Sequence, residues 1–68
     1  MTAAADFALT KDTAARRLWT WRGWEIDEWD AGICVLIHAD RLHFMEFGTL
    51  AELQALAAEL EHAKEVNP

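Results

Sequence analysis

The sequence predicts an α+β fold in which a small antiparallel β-meander of three to four strands precedes one C-terminal amphipathic α-helix packed on the sheet. Apolar residues recur at helical spacing only near the C-terminus, and short β-rich runs with turn signals come before them. Four tryptophans also fall within eleven residues, at Trp19, Trp21, Trp24 and Trp29. Residues 1–68 are therefore expected to form a single small domain rich in aromatic side chains.

The N-terminal segment, residues 1–15, allows two interpretations. Phe7 to Leu9 fits an edge strand, whereas Asp12 to Arg17 fits a short helix. The segment is therefore expected to be an N-terminal arm or a short element ahead of the meander.

The meander is predicted over residues 17–47. Its first part, about 18–29, reads as one strand or a strand pair, with Gly23 marking a bulge or bend. Asp30-Ala31-Gly32 is a suitable three-residue hairpin loop, because Gly32 can take the left-handed conformation at its end. Ile33 to Ala39 and Leu42 to Phe47 then read as strands joined by a two-residue turn at Asp40-Arg41.

The C-terminal helix is predicted over about 50–65. Thr49 and Glu52 have the spacing of a capping box, in which each side chain bonds the backbone N–H of the other residue. One apolar stripe follows at spacings of three and four, formed by Leu50, Leu53, Leu56, Ala57, Leu60 and Ala63.

The proposed Asp40-Arg41 turn fixes which side chains share a face of the sheet. It pairs Ala39 with Leu42, His38 with His43, Ile37 with Phe44 and Leu36 with Met45. One face then carries Ile33, Val35, Ile37, Leu42 and Phe44 and suits the helix, but the sequence leaves open which face the helix covers. The other face carries Cys34, Leu36, His38, His43, Met45 and Phe47 and is still largely apolar.

This second apolar face favours association with a further copy of the chain. Small domains are marginally stable alone, and a disulfide within the chain is excluded because Cys34 is its only cysteine. Either the N-terminal segment covers this face, or a homodimer buries it. The interface candidates are Trp19, Trp21, Trp24, Trp29, Leu36, Met45 and Phe47.

The charge of the chain disfavours direct nucleic-acid binding. The net charge is −6, and residues 23–68 carry ten acidic and only two basic side chains. Clustered carboxylates indicate a solvated acidic surface or, alternatively, an inhibitor that mimics nucleic acid, and they are Glu25, Asp27, Glu28 and Asp30. The tryptophans can in principle stack on bases or cage a methylated cation, but core or interface packing fits their acidic surroundings better.

Residues for catalysis, metal binding or cofactor binding are sparse. His38 and His43 could begin a zinc site with Asp40, but Cys34 lies too far along the strand to complete it, so no metal and no cofactor are predicted. If that histidine pair is buried, its protonation below about pH 6 should loosen the assembly. The chain has no serine and no glycine-rich phosphate loop, and Cys34 fits a small buried hydrophobe better than a reactive thiol. We therefore do not expect an enzyme.

The sequence thus predicts a small acidic protein–protein interaction module, homodimeric, that acts by occupying a surface of an unidentified partner protein. The N-terminus lacks the features of a secretory signal, and no apolar stretch is long enough to span a membrane. A cytoplasmic location is expected on these grounds and from the lone cysteine. The lysine-poor composition, rich in Ala, Arg and Leu, indicates a bacterial or phage accessory or regulatory protein.

Overall fold

The computed structural model describes residues 5–29 and 32–66, which form a five-stranded antiparallel sheet followed by one helix. The strands lie side by side in chain order. The elements are β1 (Ala8–Asp12), β2 (Arg16–Trp21), β3 (Trp24–Trp29), β4 (Cys34–His38), β5 (Arg41–Gly48) and α1 (Leu50–Val66). The predicted α+β meander with a C-terminal helix is confirmed, but the expected count of three to four strands was wrong.

The additional strand comes from the N-terminal segment. β1 pairs with β2 as an edge strand, so the edge-strand interpretation of this region is correct and the short helix is not formed. The chain reverses at Thr13, whose hydroxyl donates to the Arg16 carbonyl at 2.9 Å and accepts from the Arg16 N–H at 3.1 Å. These side-chain bonds satisfy backbone groups that a helix would otherwise have paired.

Two glycines close the next two hairpins. Arg22 and Gly23 form a two-residue turn between β2 and β3 with φ values of 48° and 84°, as a type I′ turn requires. Gly23 is therefore a hairpin residue and not a bulge within one strand. After β3, Gly32 has φ 77° and its N–H donates to the Trp29 carbonyl, as expected for the predicted three-residue loop. Asp30 and Ala31 of that loop lie outside the described residues.

The hairpin of β4 and β5 differs from its predicted register. The turn is Ala39-Asp40, so His38 pairs with Arg41 and not with His43. A large bulge then places residues 42–45 opposite Ile37 alone, and regular pairing resumes with Leu36 opposite Glu46. The bulge turns Phe44 toward Trp24, with ring centroids 5.2 Å apart. The irregular pairing of β5 thus goes together with the packing of Phe44 on Trp24. The residues of the turn alone do not predict such a bulge.

Helix α1 begins at the predicted capping box. The Glu52 N–H donates to the Thr49 hydroxyl at 3.2 Å, and the Thr49 N–H donates to the Glu52 carboxylate at 3.3 Å. The helix crosses β3, β4 and β5, burying Leu53 and Ala57 against the sheet. Along the described chain, no helix is long and apolar enough to cross a membrane.

The side of the sheet that α1 covers, called the helix face below, is not the side with Val35 and Ile37 that the sequence made suitable for the helix. Trp24, Ile26, Cys34 and Leu36 are buried there, whereas Val35 and Ile37 point to the other side. The pairing of Ile26 with Leu36 and of Glu28 with Cys34 puts all four buried side chains on one face. Phe7, just before β1, joins the same core.

Candidate functional site

The side of the sheet opposite α1, called the open face, has no covering layer in the described structure. The helix contacts only β3, β4 and β5, and it does so from the helix face. Five adjacent strands with one uncovered side should present polar residues there. Instead, one half of this face carries apolar side chains and the other half carries mostly polar ones.

The half formed by β4, β5 and the loop before β4 is apolar, and Trp29 at the end of β3 adjoins it. Val35 and Ile37 are half-buried by their neighbours on the sheet, and Phe47 pairs directly with Val35. Four large side chains around them remain exposed, with exposed fractions of 64% for Phe47, 59% for Met45, 56% for Ile33 and 48% for Trp29. We call these six residues the apolar patch. Clusters of exposed large hydrophobic side chains mark interaction surfaces more often than single ones do.

The half of the open face formed by β2 and β3 is mostly polar and internally paired, and Leu18 opposite Asp27 is its apolar exception. The Arg16 guanidinium donates to Asp27 Oδ1 through Nη2 at 2.9 Å and through Nε at 3.3 Å. Its central carbon also lies 4.9 Å from the centre of the Trp29 ring. Thr20 and Ile37 flank Glu25 on its two sides. A line of carboxylates on β3 therefore borders the apolar patch.

The predicted acidic surface is divided between the two faces. Glu25 and Asp27 lie on the open face, whereas Glu28 lies on the helix face, where it accepts a hydrogen bond from the Trp19 indole N–H at 3.2 Å and pairs with Arg17 at 3.6 Å. Asp30 lies outside the described residues. Since Asp27 and Glu28 already bind arginines of their own chain, these contacts do not favour a row of carboxylates that mimics nucleic acid.

The predicted interface residues are also divided. Trp24 and Leu36 are fully buried in this chain's own core, so they offer no surface to a partner. Trp19 and Trp21 lie half-buried on the helix face. Trp29, Met45 and Phe47 are the three that remain exposed, and they belong to the apolar patch.

The two histidines proposed as ligands do not face each other. His38 lies opposite Arg41, and its Nδ1 accepts a hydrogen bond from the Asp40 N–H at 3.0 Å. His43 is exposed on the bulged part of β5. Among the described residues, no three His, Cys, Asp or Glu side chains are grouped as a metal site would require.

Cys34 is buried on the helix face, where the thiol is held in its neutral form. Burial raises the pKa of the Cys34 thiol above its ordinary value of 9.0, the Glu28 carboxylate raises it further, and Arg17 acts in the opposite direction. A thiol needs to ionise to act as a nucleophile. This environment therefore disfavours the thiolate form of Cys34.

The sequence reasoning missed Ile33, Val35 and Ile37 as surface residues. Their face suits an amphipathic helix, and apolar strand residues are usually core residues. A usable signal was present in the order of the hairpins. If Trp24 and Ile26 face the core, antiparallel pairing across the Gly32 loop also brings Cys34 and Leu36 there, and it leaves the odd-numbered residues on the opposite face.

Comparison with protein-family models, with curated proteins and with solved structures finds no match for this chain. Its function is therefore inferred from its own surfaces. The apolar patch beside the β3 carboxylates is the described surface best suited to binding.

Proposed function

We propose that this chain is a small protein–protein interaction module that forms a homodimer through the open face of its sheet. The observation that supports the proposal is the apolar patch, which lies on an uncovered side of the sheet and includes two exposed aromatic rings, Trp29 and Phe47. Aromatic residues and methionine are enriched in the centres of protein interfaces.

A second copy is the occupant that the size of the patch favours. Large aromatic side chains have areas of roughly 150–250 Å². With the exposed fractions given above, the four most exposed patch residues offer on the order of 400 Å² per chain. This is about half of the ~800 Å² that each partner contributes to a standard interface. Val35, Ile37 and the surrounding rim are available to supply the remainder. An isologous dimer uses the same surface twice, so one patch suffices for both partners.

Two matched variants test the proposal. Phe47→Glu places a charge in the patch on β5, and Leu9→Glu places the same charge on the other edge strand but on the helix face, where Leu9 is also exposed. Light scattering across a dilution series from submillimolar to micromolar protein should give a dimer for the wild type and for Leu9→Glu, and a monomer for Phe47→Glu. A wild-type chain that stays monomeric throughout would contradict the proposal.

A further inference from the structure

Two copies of the chain can join either through their edge strands or through their open faces. The features of both edge strands disfavour the first route. Edge strands can pair with a second copy to extend the sheet, and natural proteins block this with short strands, charges and bulges. β1 has five residues, a bulge between Leu9 and Lys11, and the charged side chains of Lys11 and Asp12. β5 is longer, but its bulge at residues 42–45 interrupts regular geometry in its middle. Neither edge offers a long regular strand to a partner.

Packing of one open face on the other is the route that remains, and the charges limit how far the two sheets overlap. Glu25 and Asp27 run along β3 at the centre of the face. If two copies overlapped fully, these carboxylates would be brought toward their counterparts and removed from water. Buried like charges are strongly unfavourable unless each has a partner, and Arg16 contacts only Asp27 of this pair in the described contacts.

An offset overlap avoids that cost. If only the β4–β5 halves meet, most of each apolar patch is covered, Trp29 at the end of β3 lies at the edge of the contact, and the β3 carboxylates stay at the rim in solvent. Facing sheets pack about 10 Å apart with side chains interdigitating. Met45 and Phe47, which project from a sheet without a covering layer, are long enough to fill that space.

We propose that two copies of this chain pack face to face through their β4–β5 halves, in an offset α-β-β-α arrangement that leaves the β2–β3 half of each open face in water. This inference rests on the proposed homodimer and specifies its geometry. The uncovered β2–β3 halves, with Arg16, Thr20 and Glu25, then lie at opposite ends of the assembly and face water.

The residues on either side of Glu25 provide the test. Thr20 and Ile37 pair with Glu25 from β2 and from β4, so Thr20→Lys and Ile37→Lys put the same charge beside the same carboxylate, but on opposite halves of the face. Sedimentation equilibrium of both variants should show that Ile37→Lys weakens dimerisation at least tenfold and that Thr20→Lys leaves it unchanged. Circular dichroism checks that both fold. If Ile37→Lys does not fold, Ile37→Thr keeps a β-branched side chain and should still weaken association.

Each alternative gives a different pattern. Loss of the dimer in both variants would mean that the sheets overlap fully. An unchanged dimer in both would mean that the copies join at their edges. Either result overturns the offset arrangement. A monomeric wild type would instead remove the homodimer itself. Amide exchange supplies a second readout, because β5 N–H groups that do not bond β4 should exchange rapidly in a face-to-face dimer and slowly in an edge-paired one.

Discussion

At the scale of single residues, Trp24 is the centre of the core. It is fully buried, and its indole N–H donates to the Glu61 carboxylate at 2.8 Å, which ties the end of α1 to the start of β3. His38 and Phe44 pack edge-on against the ring, and the Arg41 guanidinium lies 5.4 Å from its centre. A buried indole needs such a hydrogen-bond acceptor, because an unsatisfied donor is costly.

We expect Glu61→Ala to destabilise the protein by about 1–3 kcal/mol, since it leaves the Trp24 N–H without its acceptor. Glu61→Gln keeps an acceptor oxygen and should cost less than about 1 kcal/mol. The control is Glu59→Ala, an exposed position on the same helix, which should change stability by no more than about 0.5 kcal/mol. Urea denaturation measures all three, and equal values for the two alanine variants would show that the bond contributes nothing.

Cys34 should make the stability depend on alkaline pH. Burial, with help from Glu28, raises the pKa of this thiol above 9.0, so the folded state holds the proton more tightly than the unfolded state does. The stabilisation is complete below pH 9.0 and is lost as the pH rises from there through the higher pKa of the folded protein. The free energy of unfolding of the wild type should therefore fall relative to that of Cys34→Ala above pH 9.0, and parallel curves would refute the shift.

At the scale of elements, α1 and the two glycine turns fix the shape of the fold. The capping box sets where the helix begins, and the stripe of leucines sets which side meets the sheet. The glycine turns set the pairing of three successive strands, since both residues have a positive φ that other residues adopt with difficulty.

The buried leucine of α1 should be the most sensitive helix position. Leu53 is only 2% exposed, so Leu53→Ala should cost about 2–5 kcal/mol through lost contacts and the cavity that remains. Leu56 is half-buried, and its replacement by Ala should cost distinctly less. Thermal or chemical denaturation would show this order, and a larger loss at Leu56 would mean that the helix is rotated on the sheet.

The two turn glycines should differ when replaced by alanine. In Gly32→Ala the cost is that of the positive φ alone, about 1–2 kcal/mol, because the added Cβ meets no neighbour within 4 Å. In Gly23→Ala the Cβ would also lie 3.1 Å from His38 Nε2, so this variant should be the less stable of the two. If the two variants unfold at the same denaturant concentration, the His38 ring moves aside without cost.

At the scale of the whole molecule, a single helix can cover only one side of the five-stranded sheet, and it is too narrow to cover all five strands. It covers three strands from one face and leaves the apolar patch exposed. The net charge of −6 on each copy opposes association at long range, and dissolved salt screens that repulsion.

The proposed homodimer predicts a thermal midpoint that depends on protein concentration. A dimer that dissociates on unfolding is stabilised by mass action, so its midpoint rises as the protein is concentrated. Added salt should preserve or increase that rise, because the patch is apolar and the screened charges repel. Calorimetry at several concentrations measures the effect, and the Phe47→Glu variant is the control that should show none. A wild-type midpoint that does not change with concentration would argue for an independent monomer.

The sequence by itself determined the order of elements, the helix with its capping box and the loop at Gly32, because these depend on residues close together in the chain. Only the tertiary structure decided that Ala8–Asp12 form a fifth strand, that β5 bulges at 42–45, and that the helix covers Cys34 and Leu36. These features depend on contacts between distant residues, such as Trp24 with Phe44 and Glu61. The identity of an apolar strand residue does not specify which face of the sheet it will occupy. The apolar patch could therefore be recognised only after the tertiary structure had placed the core on the opposite face.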